Sequence, residues 1–377
     1  MLSTFGGCTS VIEQYEEAQT LATTPPGAAG DAWAPDAAIQ LSEPLLDQII
    51  TASLHPAPTF DGTIQAGLVS LSPALTVDSL KIGAATTCRE CLQLDVNIGG
   101  SIGWSTMIGT GQAAAKIGCS LDSALAITPI ENGFAIGAVP RAIHDVHLEI
   151  AGFNAGVNLD GPISSFVQTT VLAGMPTLTL TEVGTDTAPV RALRITSQQK
   201  VLRVDLLSGA RMNTAVPLIL PPPTDGFSVD VSLVSLLAIA KAEAFKAGPM
   251  TYGLLAEPTA LDFSGDRFTV GLRLWKTTGR GWWRDYEIVG TWGLEGDQFV
   301  MNAERVVDKG HSPGAAFADP LIAMTEGIVQ RSIRSALDTT VPASSGQLGA
   351  LGAEIVLTGL EASNGILRAR GTVKLPQ

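Results

Sequence analysis

The sequence predicts an α+β fold in two tandem modules, each running helix, meandering antiparallel sheet, helix and closing hairpin. Three observations carry that expectation. The 377 residues exceed what one hydrophobic core usually serves. Apolar spacing switches between helical faces and period-two runs in the same order in both halves. A proline cluster, Pro217 and Pro221 to Pro223, falls between the halves and reads as their connector. The expected boundaries are 1–40 for a lipidated or disordered tether, 41–216 for the first module, 217–226 for the connector and 227–377 for the second module.

The first module opens on Leu41 to Leu54, where Leu45, Leu46, Ile49, Ile50 and Leu54 share one helical face, with Ser42 as N-cap candidate and Pro44 in the first turn. Strand-like runs follow at Thr63 to Leu71, Leu75 to Ile82, Cys91 to Ile98, Ala113 to Ile127, Gly133 to Val139 and Val146 to Ile150. In Leu92 to Ile98 apolar residues alternate with Gln93, Asp95 and Asn97, as in a strand with one buried face. A helix after Asp160 and Pro162 carries Ile163, Phe166, Val167 and Val171 and stops at Gly174. Three short runs, ending at Lys200 to Leu207, close the module.

The second half repeats this order. A helix from Ser232 is stopped by Gly248 and Pro249. Strands follow at Ala260 to Phe263, Phe268 to Trp275, Tyr286 to Leu294 and Gln298 to Val307. Asp319 and Pro320 open a long helix, Leu321 to Leu337. The hairpin Glu354 to Leu360 and Ile366 to Val373 turns at Asn364 and Gly365. The segments Gln199 to Val204 and Asn364 to Ala369 are locally alike, each near the end of its half.

Charge and hydropathy narrow the function classes. Only 16% of residues are charged, 45% are hydrophobic, and mean hydropathy is +0.28, so an apolar surplus must be housed. No run approaches the roughly 20 apolar residues of a spanning helix, so the surplus belongs in cores or along a cavity. With 23 basic against 36 acidic residues the chain carries −13, which excludes a general affinity for nucleic acid. It also disfavours broad attraction to anionic lipid and leaves only local basic patches for that role.

Met1 to Cys8 reads MLSTFGGC, and Gly6 and Gly7 before Cys8 resemble the cleavage box of a bacterial lipoprotein. Phe5 replaces the usual aliphatic residue. Cys8 is the expected lipidation site, and the protein is then exported, periplasmic or at the cell surface, and anchored to a membrane. Thr9 to Ala38, rich in proline, glycine and alanine, reads as the tether behind it. Cys88, Cys91 and Cys119 remain. A lone CxxC does not make a zinc site, and in an exported protein a disulfide between two of the three is expected, the pairing left open.

The helix VSLVSLLAIAKAEAFKAG (Val231 to Gly248), a sheet, a long helix and the hairpin EIVLTGLEASNGILRARGTV (Glu354 to Val373) together resemble the tubular lipid-binding superfamily, which includes the bactericidal permeability-increasing proteins. The resemblance covers most of residues 41–375 and its motifs are diffuse. It implies two tandem modules, each a bent antiparallel sheet wrapped around a long helix, and binding or transfer of lipid at a membrane surface. Such a wrap leaves an apolar groove suited to acyl chains, and Leu236, Leu237, Ile328 and Ile333 are its expected lining. The opposing expectation is a dry, packed core in a structural or scaffold lipoprotein with a protein partner.

One loop stands out against the acidic, aromatic-poor background. Lys276, Arg280, Trp282, Trp283 and Arg284 lie between two strand-like runs, and indole rings beside cations suit the headgroup region. These five are the expected membrane contacts. Chemistry is the weaker class: Gly99, Gly100, Ser101, Ile102, Gly103 fits GxSxG but lacks the following helix of a nucleophile elbow. His144 and His147, three apart on a strand, are expected on opposite faces. No catalytic residue, metal site or cofactor is expected, and a serine hydrolase is the least favoured alternative.

Overall fold

The computed structural model describes residues 10–24, 35–54, 56–83, 91–107, 109–131, 133–151, 159–183, 190–198, 201–208, 223–250, 253–296, 298–313 and 354–374. Among them the protein is mostly β, in three antiparallel sheets with four short helices. The first helix, α1 (Val11–Thr23), begins in a capping box: Glu13 N–H donates to Ser10 Oγ at 3.2 Å and Ser10 N–H to Glu13 Oε2 at 2.7 Å. Part of the expected tether is thus a capped helix.

After β1 (Ala37–Leu41), α2 (Glu43–Ser53) buries Leu45, Leu46, Ile49 and Ile50, the face its spacing predicted. Ile82 N–H donates to Asp47 Oδ1 at 2.7 Å and pins the helix to the sheet beneath. That sheet comprises β2 (Thr59–Asp61), β3 (Ile64–Ala66), β4 (Val69–Ile82), β5 (Cys91–Thr106), β6 (Gly109–Ile130), β7 (Gly133–Ile150) and β8 (Leu178–Val183). Leu92, Leu94, Val96 and Ile98 of β5 are buried while Asp95 and Asn97 are exposed, as the alternation demanded. Before β8, the helix α3 (Asp160–Phe166) runs through a π-helical turn, Val167–Val171, into Leu172–Gly174.

The chain continues through β9 (Val190–Gln198), β10 (Val201–Ser208) and β11 (Phe227–Ser232) into α4 (Leu233–Ala247). Ser232 Oγ accepts from Ser235 N–H at 3.0 Å, and Gly248 at φ 72° ends the helix. A four-stranded sheet follows: β12 (Leu254–Ser264), β13 (Arg267–Lys276), β14 (Trp282–Glu295) and β15 (Gln298–His311). The last strands, β16 (Glu354–Ser363) and β17 (Ile366–Lys374), turn over Asn364 and Gly365 at φ 53° and 75°, the paired positive values of a tight hairpin.

The third sheet corrects the expected fold. Its order is β16-β17-β11-β1-β10-β9, so each half gives one strand and one closing hairpin to a shared sheet. Among the described residues neither half has its sheet wrapped around a long helix. Among the described residues the longest helix is α4, with 15 residues, and the expected helix Leu321 to Leu337 lies outside them. The physical reason lies in β1 and β11. Both are short, buried on both faces and invisible to period-two reading, yet their pairing from Ala37–Val231 to Leu41–Phe227 joins the halves edge to edge. Apolar faces are then covered by neighbouring sheets and short helices. One continuous core includes Leu46, Leu71, Leu121, Val204, Val229, Leu272 and Ile288, from all three sheets. The 216/217 boundary and residues 217–222 of the connector lie outside the described residues.

Register divides the shared sheet by chemistry. Val204, Ile39, Val229 and Ala369 lie in one row and face the core; the next row holds Asp205, Ala38, Asp230 and Arg368 on the opposite face. There Arg368 Nε and Nη2 donate to Asp230 Oδ1 and Oδ2 at 2.5 and 2.8 Å, and Gln40 Nε2 donates to Oδ2 at 3.1 Å. Both partners of the ion pair are essentially inaccessible, Arg368 at 2% and Asp230 at 0%. Removing one partner strands a buried charge. Asp230→Ala should therefore lower stability by about 3–5 kcal/mol in chemical denaturation, whereas the double change Asp230→Leu with Arg368→Met should recover most of it. A double variant as unstable as the single would show that the pair itself, and not the stranded charge, governs the loss.

Candidate functional site

The β13–β14 hairpin and the helices packed beside it form the site that the sequence singled out. The strands stay in register to Lys276 opposite Trp282, leaving Thr277 to Gly281 as the tip, with Gly279 and Gly281 at φ 71° and 66°. Arg280 is exposed at that tip, whereas Lys276, Trp282, Trp283 and Arg284 are half-buried. Arg284 Nη2 and Nε donate to Asp308 Oδ2 at 2.6 and 2.9 Å, and those bonds hold the Asp308 carboxyl below the usual carboxylate range. Arg273 lies 4.5 Å from the Trp283 ring centroid and 5.2 Å from that of Trp275, and it donates twice to Asp285 at 2.6 and 2.7 Å. Trp283 N–H donates to Ser312 Oγ at 2.9 Å, and Ser312 N–H returns a bond to Trp283 O at 3.0 Å. Trp283 and Arg284 thus have intramolecular partners, and Arg280 projects as the exposed cation of the tip.

Beneath the hairpin lies a second, small core of Tyr15, Phe245, Leu255 and Trp275, lined by Val11, Ala18, Ala22 and Trp283. Trp275 is fully buried, and its indole N–H donates to Glu257 Oε2 at 3.0 Å while Lys241 Nζ holds Oε1 at 3.2 Å. Tyr15 packs 5.5 Å from Phe245 and 5.9 Å from Trp275, edge-on to the latter. The N-terminal helix is therefore docked on α4 and the hairpin strands. Its first residue reaches the tip: a Cβ built on Gly281 would stand 3.2 Å from Val11 Cβ. Cys8, the expected lipidation site, lies outside the described residues. The docked helix that follows the lipidation candidate in sequence thus abuts the Trp–Arg hairpin, which the sequence signalled independently.

Of the expected acyl-chain residues, Leu236 is fully buried in the main core and Leu237 is half-buried on α4; Ile328 and Ile333 lie outside the described residues. The inner face of the four-stranded sheet carries Tyr286, Ile288 and Trp292. Trp292 stands edge-on to Phe263 at 4.8 Å, and its buried indole N–H has no acceptor among the described residues. No spacing rule points to Trp292. The docking face of α1, in contrast, could have been found from Val11, Tyr15, Ala18 and Ala22 at helical spacing behind the Ser10–Glu13 box.

The remaining motifs resolve simply. Ser101 sits within β5 opposite Ala114, and its Oγ accepts from Gln112 Nε2 at 2.7 Å, so no strand-to-helix elbow forms there. His144 and His147 do not face opposite ways. A bulge with Asp145 at φ 51° adds a residue between them and brings both to the outer face, where His144 Nε2 meets Asp122 Oδ2 at 3.0 Å. Among the described residues no group of three or more ligating side chains could hold a metal. Cys91 is disulfide-bonded and Cys119 is a free, buried thiol, while Cys88 lies outside the described residues.

Fold and site together define a mostly β protein whose halves share a central sheet and whose N-terminal helix is clamped to one hairpin. No family model matches the chain, and no curated protein matches it. Among solved structures it is similar to a lipopolysaccharide binding protein, with 10% identity, 92% of this chain and 100% of that chain covered, and a TM-score of 0.35. It is also similar to P47 from Clostridium botulinum A2, at 10% identity over 90% and 97% of the two chains with a TM-score of 0.39. For P47 of Clostridium botulinum E1 the values are 7%, 90%, 99% and 0.40.

Two outcomes follow from this geometry. Tyr15→Ala removes the anchor of α1, and each undocking event should become about tenfold or more frequent. Proteolysis within 11–23 should accelerate accordingly while the melting temperature of the body stays put; a coincident loss of both would mean that α1 belongs to the global folding unit. Burial pushes the Cys119 thiol up to about 11, so at pH 8 the peptide containing it should resist alkylation in native protein and label on denaturation without reductant. Cys91 should label only after reduction.

Proposed function

We propose that the protein binds lipid or acyl-chain ligands in its apolar interior while held at a membrane surface through a lipidated Cys8, as an exported protein of the periplasm or cell surface with no covalent chemistry of its own. The observation that supports this reading is the proximity of Val11, three residues after the anchor candidate in sequence, to Gly281 in the tip of the Trp282 hairpin. Stable attachment takes two weak signals acting together, and an acyl anchor beside an amphipathic aromatic tip supplies them. A local cation such as Arg280 matters in a chain of net charge −13, which a uniformly anionic surface repels. The Trp292 N–H, without an acceptor among the described residues, is consistent with an interior ligand, since the ester carbonyl of an acyl chain is an acceptor.

A second reading rests on Leu236. Its complete burial in a continuous core favours a structural envelope lipoprotein, packed solid and engaged with a protein partner. The readings separate on one pair of measurements: mass spectrometry of organic extracts from purified protein, and the effect of Leu237→Trp. Ligand binding predicts bound lipid in the wild type and its loss in Leu237→Trp with an almost unchanged melting temperature. A packed scaffold predicts lipid-free extracts and an overpacking cost of about 1–3 kcal/mol.

A further inference from the structure

The two most exposed large hydrophobic side chains among the described residues are Leu68, at 77%, and Met107, at 85%. Strand pairing brings them together. Ala66 opposite Val69 closes the β3–β4 hairpin over Gly67 and Leu68, and Thr106 opposite Gly109 closes the β5–β6 hairpin with Met107 in its turn. β4 and β5 are neighbours with Ser70 opposite Ser105, so the two turns lie side by side, about one strand spacing of 4.8 Å apart. Both project freely: a Cβ on Gly67 or Gly109 would meet nothing within 4 Å.

The strand segments that lead to the two turns are free of charge. From Gly62 to Val77 and from Val96 to Ala115 there is no Asp, Glu, Lys, Arg or His, in a chain with 59 Asp, Glu, Lys and Arg residues (23 basic plus 36 acidic). These stretches are the parts of β3, β4, β5 and β6 that converge on the two turns. Half-buried Trp104 lies behind them, its ring against its cross-strand partner Gly111.

We infer that this corner of the first sheet is a lipid contact, with Leu68 and Met107 entering the boundary between headgroups and acyl chains of a bilayer. Two convex turns cannot cover the ~1,200–2,000 Å² of a stable protein interface, but insertion into a fluid interface needs only a few apolar side chains and no complementary partner. The absence of charge matters as much as the leucine and methionine. No ion has to be dehydrated on entry, and this corner adds nothing to the repulsion that the acidic remainder meets at an anionic surface. The contact is separate from the Trp282 hairpin and does not depend on a ligand in the interior, although both readings place the protein at a membrane.

The test uses the full chain with Cys8→Ser, so that no acyl anchor contributes, and cosedimentation with vesicles of phosphatidylcholine alone or mixed with phosphatidylglycerol. The parent chain should partition onto both, and L68D/M107D should weaken partition at least about tenfold with an unchanged melting temperature, while L68W/M107W retains it. A fluorophore on Met107→Cys should shift to the blue on phosphatidylcholine vesicles. Several results would overturn the inference: no partition of the parent, undiminished partition of L68D/M107D, binding only when phosphatidylglycerol is present, or a solution dimer that L68D/M107D dissolves, which would make a second copy the occupant. Extractable lipid is measured on the same samples. Lipid-free extracts with the vesicle effect intact would sink the interior-ligand reading and leave this one standing; normal extracts with no vesicle effect would do the reverse.

Discussion

The buried contact among Asp230, Arg368 and Gln40 is the constraint on which the rest of the molecule depends. Taking two ions out of water costs several kcal/mol each, and a bidentate geometry with a third hydrogen bond recovers that cost in only one register. A slip of one residue between β11 and β17 would turn Asp230 toward Val204 and Ile39 and leave Arg368 behind. Because Gln40 belongs to the first half and the ion pair to the second, the same contact aligns β1 with β11. The closing hairpins β9–β10 and β16–β17 then fall on opposite flanks of one sheet. The pair is better understood as specifying an arrangement than as adding net stability.

Pairing of charges also shapes the β13–β14 hairpin end. Arg273 with Asp285, Arg284 with Asp308 and Lys241 with Glu257 are partly exposed pairs of the kind that contribute little to stability. Their consequence is elsewhere: they retire most of the positive charge that the hairpin sequence advertises. What remains at the tip is Arg280 as an exposed cation, beside the half-buried Trp282 and Trp283. The same economy of charge appears at the Leu68–Met107 corner, whose strand segments 62–77 and 96–115 carry no ionisable residue.

Legibility followed burial geometry. Strands with one buried face, such as Leu92 to Ile98, announced themselves by alternation, and the Asn364–Gly365 turn and the α4 bounds at Ser232 and Gly248 followed from backbone chemistry. β1 and β11 did not, because strands covered on both faces show no period and each carries polar residues, Gln40, Ser228 and Asp230, that read as loop. Missing them turned a shared sheet into two separate wrapped modules. α1 was hidden by its composition: a narrow stripe of Val11, Tyr15, Ala18 and Ala22 among glutamates resembles a solvated linker unless the capping box is given weight. The bulge at Asp145 has no sequence signature, so the side on which His147 falls was out of reach.

The apolar surplus of the chain finally decides between its possible uses. Much of it is absorbed by a core continuous across three sheets, and in such a core an orphaned donor is an anomaly, since a buried N–H without an acceptor costs about 1–3 kcal/mol. Trp292 carries such a group among aromatic neighbours, Phe263 at 4.8 Å and Phe299 at 6.1 Å, and an edge-on ring is only a weak substitute for a carbonyl. A phenylalanine would fill that face without the penalty. Among the described residues no acceptor reaches the indole N–H, so under the proposed lipid-binding reading an acyl ester would supply the missing acceptor. The region around Trp292, more than the fully packed Leu236, is where an interior ligand and the fold's own chemistry would meet.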